Sequence, residues 1–137
     1  MTAYSKWAAA WFGGPVLGVA NGALREGLYA NRLGDLRAHQ LSTVTLVAGL
    51  TAYVRAVDRR WPIATARDAA LIGAGWTAMT AAFELGFGHY VAHEPWRELL
   101  RDYDLSRGRA WGLVLLSIAV APSLARRRRL SGPTEAP

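Results

Sequence analysis

The sequence predicts an all-α protein: a bundle of four transmembrane helices, built as two tandem helical hairpins, with a short amphipathic interfacial helix between helices three and four. Three observations carry this. The chain is 52% hydrophobic and 19% charged, but long uncharged runs alternate with dense charged patches, whereas a soluble chain spreads its charges along amphipathic elements. There are four such runs, and a bilayer core of about 30 Å takes about 20 apolar helical residues. Trp7, Trp61, Trp96 and Trp111, with Tyr4, Tyr29 and Tyr90, sit at or just beyond run ends, where interfacial aromatic belts place them. The length of 137 residues suits a single membrane domain, 1–137.

Helix one is expected over about 7–28. It is uncharged through Leu24 and then meets Arg25 and Glu26. Lys6 is the only base ahead of it, and Gly13, Gly14 and Pro15 interrupt its apolar core, so it reads as a retained helix and not as a signal peptide. Helix two is expected over about 36–57, where Asp35 follows Gly34 as a good N-cap. Helix three is expected over about 69–91, capped by Asp68. Helix four, over about 109–125, contains the most apolar run, "AWGLVLLSIAVAPSLA". Before it, Trp96, Leu99, Leu100 and Tyr103 recur at i, i+3, i+4 and i+7 behind Pro95, with Arg97, Glu98, Arg101 and Asp102 opposite. That pattern predicts an interfacial helix over about 95–104. Residues 126–137 are expected to form a basic, flexible tail.

The net charge is +6 and the pI near 10.5. Four of the sixteen bases form Arg126–Arg129, directly after an apolar run, which fits a membrane flank better than a nucleic-acid face. The ends and middle loop hold Lys6, Arg55, Arg59, Arg60, Arg67 and Arg126–Arg129. The other loops hold Arg25, Arg32, Arg37, Arg97, Arg101, Arg107 and Arg109. The bias places both termini in the cytoplasm. The absence of cysteine excludes disulfides, thiolate catalysis, Cys-ligated zinc and iron–sulfur clusters.

Small residues four apart run along helix one (Ala10, Gly14, Gly18, Gly22) and helix three (Ala70, Ala74, Ala78, Ala82, Gly86). Such ladders let helix backbones approach closely, and they predict pairing of helix one with helix three or with a second copy. "LRAHQLS" (Leu36–Ser42) and "LRDYDLS" (Leu100–Ser106) precede helices two and four, and Glu26 and Glu84 echo each other in the helices before them. This is the hint of tandem duplication.

Glu84 is the informative residue. A charge within a spanning helix costs about 2.5–3.5 kcal/mol on insertion scales unless it meets a partner or water. Asn21, Arg25 and Glu26 end helix one; His39, Gln40, Ser42, Thr43 and Thr45 begin helix two; Arg109 heads helix four; His89 and His93 follow Glu84. The expected site is a polar pocket in the outer leaflet formed by Asn21, Arg25, Glu26, His39, Gln40, Thr43, Glu84, His89 and Arg109, with Arg25 and Arg109 as partners of Glu84 and Glu26. The other halves of the helices look bare up to their basic flanks. No metal and no cofactor are predicted; haem held by paired histidines would need His39 opposite His89 or His93.

"NGALREG", "AHQLS", "FELGFGHY" and "LLRDYDLSRGRAW" together resemble small four-helix bacterial integral membrane proteins of uncharacterised function. The resemblance implies location and helix count and assigns no activity. The expected partners are the lipid bilayer, a second copy of the chain and a membrane-protein partner, with no nucleic acid. The first functional expectation is binding or passage of a small ion or solute at the bacterial inner membrane. The alternative is a non-catalytic accessory or assembly subunit, and the third is a membrane enzyme using Glu84 and His39 as acid and base.

Overall fold

The computed structural model describes residues 2–101 and 111–132, and every regular element among them is helical. The first rod consists of α1 (Ala3–Ala10), α2 (Gly13–Leu24), a π-helical segment (Arg25–Tyr29) and α3 (Ala30–Leu33). The Thr2 hydroxyl caps α1 by accepting from the Ser5 amide. The rod breaks at Trp11–Phe12 because Pro15 has no N–H to return to the Trp11 carbonyl; the Gly14 amide donates to that carbonyl instead, at 2.9 Å. The chain turns at Gly34, whose φ of 80° is accessible to glycine without steric cost.

Next come α4 (Asp35–Arg60) and α5 (Ala66–Gly86), the latter extended by a second π-helical segment (Phe87–Val91). Thr65, not Asp68, is the N-cap of α5. The Thr65 hydroxyl accepts from the Asp68 amide and donates to the Asp68 carboxylate, a reciprocal arrangement that satisfies the first turn. Asp68 also accepts from the Tyr4 hydroxyl. This bond ties α1 to α5 and, as the main cause, holds the Tyr4 proton above the usual phenol range.

α6 (Trp96–Arg101) follows. It covers part of the expected interfacial helix and buries Leu99 against Gly88; Tyr103 lies outside the described residues. The last helix, α7 (Trp111–Leu130), includes the whole Arg126–Arg129 block. The basic segment is therefore helical and not a loose tail, because two of its arginines bond the α4–α5 connection.

α7 lies against both α4 and α5 and makes the most extensive contacts with them; α2 packs on α4, and α1 touches α5. Leu46, Leu50, Val54, Ile72, Val114 and Ile118 form the aliphatic core with Trp7, Trp11 and Trp76. Trp7, expected at a membrane interface, is 1% exposed. Its indole donates to the Trp61 carbonyl at 3.2 Å, and its own carbonyl accepts from the Trp76 indole at 3.0 Å.

Tight backbone packing at glycine also differs from the expected pairing of helix one with helix three. It joins α5 to α7, where a Cβ on Gly73 would lie 2.1 Å from the Ala119 carbonyl oxygen. Ala70, Ala74, Ala78 and Ala82 are exposed instead. The stripe Ala69, Ile72, Gly73 and Trp76 is buried in its place: Ile72 and Trp76 gain more from burial than alanines do, and Gly73 lets α7 come close.

Among the described residues one helix, Ala66–Val91, is long and apolar enough to cross a membrane by length and composition.

Candidate binding cavity

A cavity of about 470 Å³ lies between α2, α4, α5 and α7. Its apolar wall is made by Leu46, Leu50, Trp76, Val114 and Ile118, all buried. Gly14, Gly18 and Gly22, one per helical turn of α2, line the opposite side. A Cβ built on Gly18 or Gly22 meets nothing within 4 Å, whereas one on Gly14 would touch Leu50, so the ladder faces open space at its last two positions and no helix backbone at any of the three. Val19 on α2 and Phe83 on α5, with Phe87 just beyond it, line the cavity while remaining exposed, which places its mouth between α2 and α5.

The polar groups gather at the end where α2 stops and α4 begins. The Asn21 amide donates to the Ser42 carbonyl at 2.9 Å and to the Ser42 hydroxyl, and its oxygen accepts from Thr45 at 2.7 Å. Asn21 thus clamps α2 to α4. The Arg25 Nε and Nη2 both donate to one oxygen of Glu26, at 3.2 and 3.1 Å. His39 Nδ1 faces the Asp35 carbonyl at 3.2 Å and its carboxylate at 3.4 Å. Thr43 donates to the His39 carbonyl. Deeper in, the Trp11 indole donates to the Thr80 hydroxyl at 3.0 Å, which itself donates to the Trp76 carbonyl.

Asn21, Arg25, His39, Thr43 and Glu84 all line the cavity. Glu26 does not: its side chain is 68% exposed and pairs with Arg25, so it is not equivalent to Glu84. Gln40 lies on the exposed side of α4. His89 is stacked on Trp96 with ring centroids 4.0 Å apart, away from the wall that His39 lines. Arg109 lies outside the described residues. Among the described residues no group of three His, Asp or Glu side chains is placed to hold a metal ion.

Trp11, Trp76, Thr80 and the cavity-lining glycines are absent from the expected site. Trp76, Thr80 and Glu84 recur every four residues on one face of α5, a signal present in the sequence. Trp11 reaches Thr80 across 69 positions, and no local pattern announces that.

The opposite end, where the basic flanks lie, holds a second polar cluster. Asp58 is 1% exposed. Its carboxylate accepts from Arg129 Nε at 2.7 Å and from the Ile63 amide at 3.0 Å. Arg129 Nη2 donates to the Ile63 carbonyl at 2.8 Å, and Arg126 to the Ala64 carbonyl at 3.1 Å. These bonds fasten the end of α7 to the α4–α5 connection.

No protein-family model matches the chain, and no curated protein or solved structure matches it.

Proposed function

We propose that this chain is a four-pass integral protein of the bacterial inner membrane, with both termini in the cytoplasm and a cavity toward the outer leaflet that binds a small solute. The observation that carries the reading is its reversed polarity. Val16, Val44, Leu71, Leu113, Leu116 and Leu124 point outward, whereas Arg25, His39 and Glu84 line the interior space. Water penalises an apolar exterior of this kind, and hydrocarbon does not. Ionisable side chains turned into a cavity mark candidate function within a membrane.

The test uses the absence of cysteine. Asn31→Cys is expected to react with a membrane-impermeant maleimide added to spheroplasts, and Ser131→Cys only after permeabilisation. Release of the chain by alkaline carbonate, or the opposite labelling pattern, sinks the reading. For the cavity, native mass spectrometry is expected to find a small molecule retained by the wild type and lost from Glu84→Gln.

A second reading, an accessory subunit or homo-oligomer, draws on the exposed stripe Ala70, Ala74, Ala78 and Ala82, a helix-packing surface in lipid. Disulfide trapping of Ala74→Cys pairs in the membrane tests it.

A further inference from the structure

The geometry points to a lipid-soluble ligand for this cavity: an amphiphile with one uncharged, hydrogen-bonding head and an apolar body, entering sideways from the hydrocarbon between α2 and α5. The inference rests on the membrane reading above and goes further by naming the ligand class and its route.

Four observations converge. First, the mouth lies between two helices and not at a helix end. Val19 on α2 is 75% exposed and Phe83 on α5 is 42% exposed, yet both line the cavity. α2 makes its extensive packing with α4, on the other side. A passage flanked by valine and phenylalanine admits a molecule already dissolved in lipid; an ion would shed its water there at large cost.

Second, part of the wall is bare backbone. Gly14, Gly18 and Gly22 line the cavity along α2 at one residue per turn, alongside Pro15, Val19 and Asn21, over about 12 Å at 1.5 Å per residue. Nothing fills the positions where Gly18 and Gly22 would carry a Cβ. Proteins pack their interiors densely, and a volume of 470 Å³ falls within the roughly 300–1,000 Å³ of small-molecule sites.

Third, polarity is divided along the slot. Leu46, Leu50, Val114 and Ile118 contact one part; Asn21, Arg25, His39 and Glu84 contact the other. An apolar body beside the first group and a polar head beside the second bury each in a matching environment.

Fourth, the polar part selects a neutral head. Asn21 is committed to Ser42 and Thr45, while Arg25 and His39 line the same space and can donate to a ligand oxygen. Arg25 already holds the Glu26 carboxylate at 3.1 Å, and Glu84 lines the same space. An anionic head would meet Glu84 in a medium of low dielectric, and a cationic one would meet Arg25. A hydroxyl or carbonyl accepts a hydrogen bond from either donor without leaving a charge uncompensated.

The test reconstitutes the whole chain in phosphatidylcholine nanodiscs with a hexadecanol analogue carrying a diazirine in its chain, and in parallel with the matching hexadecanoate. After photolysis, labelled residues are located by tandem mass spectrometry. The alcohol is expected to label Leu50, Trp76 and Ile118 inside the cavity as well as Val44 and Leu116 on the outer surface. Gly18→Phe fills the slot and should reduce the interior labels about tenfold while leaving the outer ones. Gly22→Leu serves the same purpose should Gly18→Phe fold poorly.

Interior labelling by hexadecanoate as strong as by hexadecanol overturns the neutral head. Outer-surface labelling alone, in the wild type, overturns the amphiphile. If in that case Gly18→Cys reacts with a water-soluble maleimide, the binding of a small water-borne solute survives and only this inference falls. Failure of the chain to enter nanodiscs with its outer surface labelled removes the membrane reading itself.

Discussion

The two ends of the bundle are both polar but built in opposite ways. At the basic end, Asp58, Arg129, Ile63 and Arg126 bond one another and the backbone, and α5 and α7 approach until only glycine fits at position 73. At the other end Arg25, His39 and Glu84 line a cavity, and Gly18 and Gly22 of α2 face open space. A closed network contributes to holding helices together and has no room for a visitor. An open one forgoes that packing and leaves room. The same residue types therefore close one end and line a space at the other, and enclosed volume distinguishes them.

The largest effect is expected at the closed end. Asp58→Ala removes the partner of Arg129 and strands the Ile63 amide in a buried site. Breaking a buried pair from one side costs about 3–5 kcal/mol, read as a lower midpoint in denaturant titration of the detergent-solubilised protein. A loss under about 1 kcal/mol would place Asp58 among solvent-screened surface pairs and dissolve the contrast between the ends.

The next test compares α5 with α7. Gly73→Ala places a methyl 2.1 Å from the Ala119 carbonyl oxygen, and neither backbone can yield as a side chain would. Overpacking of this kind costs about 1–3 kcal/mol. Thermal unfolding should show the loss, with partial recovery in no single side-chain replacement nearby, because the clash is with backbone.

These two sites also show what was legible beforehand. Helical class, the short helix before α7, and the gathering of Asn21, Arg25, His39, Thr43 and Glu84 follow from local composition and from polar residues at corresponding run ends. Asp58 did not stand out, since one acid among Arg55, Arg59 and Arg60 reads as a solvated flank; its partner Arg129 lies 71 positions away. Trp7 misled for a related reason. Its place at a run end predicts an interface, whereas its bonds to Trp61 and Trp76 are long-range and accompany a buried indole. The alanine ladder of α5 marked a plausible packing face, but periodicity alone does not identify which of two available stripes a neighbour takes.

A smaller effect is expected at the clamp between the two styles. Asn21→Ala loses its bonds to Ser42 and Thr45. Side-chain hydrogen bonds between helices in lipid average about 0.6 kcal/mol and reach about 1.7, so a loss near 1 kcal/mol is expected. The same variant should loosen α2 from α4 and widen the cavity. Faster hydrogen exchange in α2 than in α7 would register that separately from global stability.

The smallest effect has the opposite sign. Gly18→Ala and Gly22→Ala add a methyl where nothing lies within 4 Å, and alanine is the better helix former by about 0.8–1.0 kcal/mol. Each is expected to raise the unfolding midpoint slightly, the reverse of Gly73→Ala. Stability alone would then favour alanine at both positions, while the proposed ligand needs the space the glycines leave. Retained or increased stability together with weaker labelling of the cavity wall by the hexadecanol probe would separate the two properties at a single atom. A clear loss of stability at Gly18 would instead mean that α2 closes onto α5, and the two ends of the bundle would then be built alike.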